Sequence, residues 1–149
     1  MRALIPILAA ACASAGAGSS YGVVPRKDIF GPSARAGVLQ VGPGRVVGDD
    51  LDLREENGCV NGYYARRAIS FCRDDQSQGP EEHWSGPSGD FFLKREGNLY
   101  QVSGNVLTGG ATLPINQSIP LNASNGKGWQ ELLNHPALLA VLSNLPAIR

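Results

Sequence analysis

Apolar residues fall in short runs along this chain, separated by turn residues. Val38-Leu39-Gln40-Val41 meets Gly42-Pro43-Gly44 and resumes as Arg45-Val46-Val47. Leu51-Asp52-Leu53-Arg54 alternates with period two, the mark of a half-buried strand, and Asn57-Gly58 after it is a strong hairpin signal. Residues 63–71 put Tyr63, Ala65, Ile69 and Phe71 on one face, interrupted by Arg67. Phe91-Phe92-Leu93-Lys94 and Leu99-Tyr100-Gln101-Val102 flank Glu96-Gly97-Asn98 as a second hairpin would. Val106-Leu107 and the stretches around Leu113 and Ile119 extend the series. The spacing predicts roughly six to eight short strands in an antiparallel sheet, sandwich or small barrel.

The pattern changes near the C-terminus. Trp129, Leu132 and Leu133 have helical spacing, and so do Leu138, Leu139, Val141, Leu142 and Leu145. Pro136 suits the first turn of a second helix, with the break at Asn134-His135, and Pro146 stops it. His135, just before that Pro, is expected to cap. The fold class is therefore α+β: a β-rich sheet with a C-terminal helical pair packed on it.

The first residues follow another logic. Met1-Arg2 is positive, residues 3–11 are apolar apart from Pro6, and small residues follow. This is the layout of a secretory signal, and its apolar stretch is too short to span a bilayer. Cleavage before Cys12, as in a bacterial lipobox, would acylate that Cys; Ala9 stands where the lipobox usually has Leu. Cleavage after Ala13-Ser14-Ala15 fits the small-x-small rule instead. The short apolar stretch favours Cys12 as a lipid anchor. The expected organisation is a signal at 1–15, a flexible tether at 16–36 rich in Ala, Gly, Ser and Pro, and one domain at 37–149.

Composition narrows the function classes. The 149 residues carry 13 Lys and Arg against 13 Asp and Glu. A neutral chain has no long-range field to draw it onto a polyanion, so nucleic acid is not an expected partner. Once Cys12 is lipidated or removed, Cys59 and Cys72 remain as a pair in an oxidising compartment, and a disulfide between them is expected. The chain must then reverse between them, because thirteen steps of straight strand would hold their Cα atoms about 43 Å apart. Asn61-Gly62 is a turn signal placed too early for this. Ala65-Arg66 is placed well but has no turn residues.

Residues 73–90 read as a long polar loop, functional or disordered. Asp74, Asp75, Glu81, Glu82, His83 and Trp84 are its candidate partner-binding residues, with Trp84 expected to fold back onto the core. Asp74, Asp75, Glu81, Glu82, His83 and Asp90 match no calcium-loop order, and neither His83 nor His135 has a Ser or Cys at a diagnostic spacing. No catalytic residue, metal or cofactor is assigned. Gly58-Cys59-Val60-Asn61-Gly62-Tyr63 resembles the Gly-Cys-Asn…Gly-x-Tyr segment of META domains over six residues, with the Asn displaced by one place. That resemblance implies a small β-rich module of a bacterial envelope lipoprotein. The expected protein is exported, periplasmic or outer-membrane-anchored in a bacterium and otherwise secreted. It is a non-enzymatic binding or structural lipoprotein whose partner is a protein or envelope component, reaching the membrane only through its lipid. The alternatives are an inhibitor of a secreted or host hydrolase and a small envelope hydrolase using carboxylates.

Overall fold

The computed structural model describes residues 22–74, 79–121 and 127–148. Its ten strands form one antiparallel sheet in which each strand pairs with its neighbours in sequence. They are β1 (Gly22–Pro25), β2 (Val38–Gly42), β3 (Arg45–Val47), β4 (Leu51–Glu56), β5 (Cys59–Tyr64), β6 (Arg67–Arg73), β7 (Glu81–Gly86), β8 (Gly89–Glu96), β9 (Leu99–Thr108) and β10 (Ala111–Pro120). Helix α1 (Arg26–Phe30) follows β1; α2 (Lys127–Leu133) and α3 (Pro136–Asn144) follow β10, and a 3-10 turn occupies Leu145–Ala147. The β-rich sheet and the C-terminal helical pair match the sequence pattern. The expected signal, Cys12 and its cleavage site lie outside the described residues.

Alternation decides which face each strand buries. Leu51, Leu53, Ile69, Phe71, Phe91 and Leu93 all point inward and are almost wholly shielded from solvent. Tyr63 does not share the face of Ile69 and Phe71, as its spacing had implied, but is 51% exposed. A two-residue turn at Ala65-Arg66 pairs Tyr64 with Arg67, so Tyr63 sits opposite Ala68 and Ile69 opposite Gly62. That turn also places Cys59 directly across from Cys72, and the two sulfurs are bonded. Asn61-Gly62 lies inside β5 and turns nothing.

Residues 22–36 are corrected from tether to structure. Val23-Val24 pair with Gln40 and Leu39, Val24 is wholly buried, and α1 follows at once. Arg26 is 5% exposed and donates through both terminal nitrogens to Asp50, at 2.9 and 3.2 Å. Burial pushes the Asp50 carboxyl up, but its bonds to Arg26 and Arg35 outweigh this and hold it below the ordinary value.

Helix α3 is apolar on all sides, and six consecutive residues from Ala137 to Leu142 are buried. Such a helix has to be surrounded. It touches β4, β5 and β8, the 3-10 turn touches β9, and α2 lies on β1 and β2, so strands from both halves of the sheet reach the helices. Helix α2 approaches β1 at backbone distance: a Cβ on Gly22 would stand 2.3 Å from the Gly128 nitrogen. His135 occupies the N-cap position of α3 but makes no capping bond. Glu55 of β4 does that work instead, accepting the Leu138 N–H at 3.1 Å. His135 Nδ1 stands 3.7 Å from the same carboxylate.

Candidate functional site

The long loop expected at 73–90 is corrected, because β6 runs to Arg73 and residues 81–90 belong to β7 and β8 and the turn between them. Asp75 lies outside the described residues. Glu81 is exposed, and Glu82 accepts a hydrogen bond from Trp84 Nε1 at 3.0 Å. Trp84 is 3% exposed and stacks almost parallel to Phe91, as a tryptophan folded onto the core would. The residues expected to be presented together are therefore divided between the two faces of the sheet.

His83 and Asp74 are nonetheless brought together, on the outer face. His83 is 6% exposed, lies over the Phe92 ring at 4.4 Å, and has a carboxylate at each nitrogen. Nδ1 meets Asp74 at 2.6 Å and Nε2 meets Asp90 at 3.1 Å. Ser85 donates its hydroxyl to the same Asp74 oxygen at 2.9 Å. Burial pulls the imidazole toward its neutral form, but its bonds to Asp90 and Asp74 and their charges outweigh this, and its pKa is raised. A general base needs one ring nitrogen turned to a nucleophile and the other to an orienting group. Here both nitrogens face carboxylates and the serine faces Asp74, so the cluster ties strand to strand. Among the described residues no group of three or more His, Cys, Asp or Glu is placed to hold a metal ion.

The more open geometry lies at one edge of the sheet, the seam where β10 faces the helices. Strand β10 pairs only with β9 and β1 only with β2 among the described strands, and α1, α2 and α3 share a lining with β10. A pocket of about 390 Å³ opens there. Asp28 and Ile29 of α1, Gln117 and Ile119 of β10, Trp129 of α2, and Leu139 and Ser143 of α3 line it, with Ser118 and Pro120 at the strand edge. Asn144 donates to Gln117 Oε1 at 3.0 Å and to the Ala140 carbonyl at 2.8 Å, bracing the Gln117 amide against α3.

The edge of β10 adds backbone groups. Leu121 N–H bonds the Asn98 carbonyl on the β9 side. Alternate residues of an antiparallel strand point their amides to opposite sides, so Asn116, Ser118 and the two prolines, Pro114 and Pro120, point theirs away from β9. Prolines belong there, since a missing N–H costs nothing on an unpaired edge and discourages strand addition. Ser118 keeps both its N–H and its carbonyl at the pocket rim.

Sequence reasoning missed this pocket. Its α1 residues were absorbed into the tether, where the apolar pairs Val23-Val24 and Ile29-Phe30 were the available signal. Its other residues come from three distant segments, β10, α2 and α3. Among the described residues no helix is long and apolar enough to cross a membrane. Comparison with protein-family models, with curated proteins and with solved structures finds no match for this chain.

Proposed function

We propose that the protein is an exported, non-enzymatic binding module of a cell envelope, held there through a lipid on Cys12, with the seam pocket as its ligand site. The observation that carries this reading is the make-up of the pocket: Trp129, Ile119 and Leu139 give apolar surface, while Asp28 and Gln117 give orientation. A concavity that sets apolar side chains beside a few placed polar groups has the parts of a small-ligand site. Glycoside hydrolysis by carboxylates takes two of them flanking the scissile bond, and this lining has one. The inhibitor alternative offered residues 73–90 or a hairpin tip; residues 81–90 belong to β7, β8 and their turn, which leaves it the hairpin tips. In this reading the sheet is a barrel-like roll, closed across its seam by helices instead of by a β1–β10 pair.

The test is a fragment titration of the isotope-labelled mature chain, followed by NMR, with aromatic alcohols, amines and acids. The Trp129 indole and Gln117 side-chain amide resonances are expected to move first and together. Shifts confined to the His83 face would refute the pocket as the site. Hydrolysis of envelope glycan or peptide that is abolished in Asp28→Asn would refute the non-enzymatic reading.

A further inference from the structure

We infer that the seam pocket selects an organic cation, a protonated amine carried on an apolar or aromatic body. The inference rests on the pocket reading above and adds the charge of the ligand. Asp28 is the one charged side chain in the lining. Among the described residues it has no hydrogen-bond or ion-pair partner. Among nearby acids, Asp49 and Asp50 engage Arg26 and Arg35, Asp52 engages Arg45, and Glu55 caps the α3 terminus. A carboxylate left without a cation beside a pocket of mixed polar and apolar lining is complementary to a ligand that brings one.

Two further features fit an ammonium group. The Ser118 carbonyl points away from β9 at the rim and accepts N–H donors. An indole is the aromatic side chain best suited to hold a cation over its face, and Trp129 supplies one within the same lining. Ile29, Ile119 and Leu139 then cover the uncharged body of the ligand. An anion of the same shape would meet Asp28 with like charge.

The experiment compares three probes of similar size on the mature chain by NMR titration: phenethylammonium, 2-phenylethanol and 3-phenylpropanoate. The ammonium is expected to bind about threefold more tightly than the alcohol, the gain of one exposed ion pair, and the carboxylate most weakly. In Asp28→Asn, an exposed position whose replacement leaves the fold intact by thermal melt, the ammonium should fall to the affinity of the alcohol. Equal binding of ammonium and alcohol to the unaltered chain would overturn the charge selectivity while leaving the pocket reading standing. If none of the three moves the Trp129 indole resonance, both readings fail.

Discussion

Strand β5 is entered and left through the same backbone conformation, written in different residues. At its start Asn57 and Gly58 have φ of 55° and 75°; at its end Ala65 and Arg66 have φ of 50° and 70°. Asn-Gly adopts this left-handed pair readily, whereas each ordinary L-residue there costs about 1–2 kcal/mol. The first turn is specified at its tip. The second is specified by its flanks: six residues of β5 pair in register with six of β6, Cys59 is bonded to Cys72, and the Ala65 N–H is held by the Asp50 carbonyl at 2.8 Å. A hairpin can thus be strained at its tip wherever the ladder and its neighbours outweigh the strain.

The largest expected effect comes from removing one of those flanking restraints. Replacing both cysteines by Ala should cost about 3 kcal/mol, because the closed loop restricts the unfolded chain as well as the hairpin. Urea unfolding of the mature chain measures it through the shift in midpoint at unchanged slope. A loss below about 1 kcal/mol would mean that the ladder alone holds the second turn.

Relieving the strain itself should have the next largest effect. Exchanging Ala65-Arg66 for Asn-Gly should raise stability by roughly 1–2 kcal/mol, and the reverse exchange at Asn57-Gly58 should lower it by a similar amount. The two turns would then have traded roles without a change of register. Repeating the first exchange in the chain without cysteines sharpens the comparison. An equal gain in both backgrounds identifies the ladder as the source of the strain, which the paired register supports. A gain that vanishes without the bridge identifies the bridge.

The same contrast between tip and flank explains what the sequence made legible. The hairpins at Asn57-Gly58 and Gly97-Asn98, the turn at Pro43-Gly44 and the break before Pro136 were readable because their residues favour those conformations by themselves. Strand β7 was not, because its outer face is buried by charge pairing: Glu81 to Gly86 contains one large apolar residue, Trp84, and His83 is covered by Phe92, Asp74 and Asp90. Strand β1 and α1 were hidden by the small-residue composition around them. The seam pocket was hidden most completely. Asp28, Gln117, Trp129 and Leu139 lie far apart along the chain, and no local preference reports on how such distant segments meet.

The connection after β6 rests on neither device. Strands β6 and β7 share the pairs Cys72–Ser85 and Arg73–Trp84, and polar links extend them: the Asp74 N–H on the His83 carbonyl, the Ser85 hydroxyl on Asp74, the Arg73–Glu82 ion pair and the imidazole between Asp74 and Asp90. Because the pKa of His83 is raised in the folded chain, its contribution to stability is fully present below the unfolded value of about 6.5 and is lost as pH rises through the folded one. Glu81 on its own strand and Lys94 opposite it on β8 carry opposite charges. The effect should be the smallest of the three, on the order of 1 kcal/mol or less. Compared with His83→Gln between about pH 5 and pH 9, the unaltered chain should be most favoured at the acid end, and its advantage should shrink toward the alkaline end. Amide exchange should show the same change first at Asp74 and Ser85 and not at the β5–β6 hairpin, whose bridge and ladder do not titrate. An advantage that grew with pH would mean that the fold holds the neutral ring, and that the two carboxylates contribute geometry to this connection and not charge.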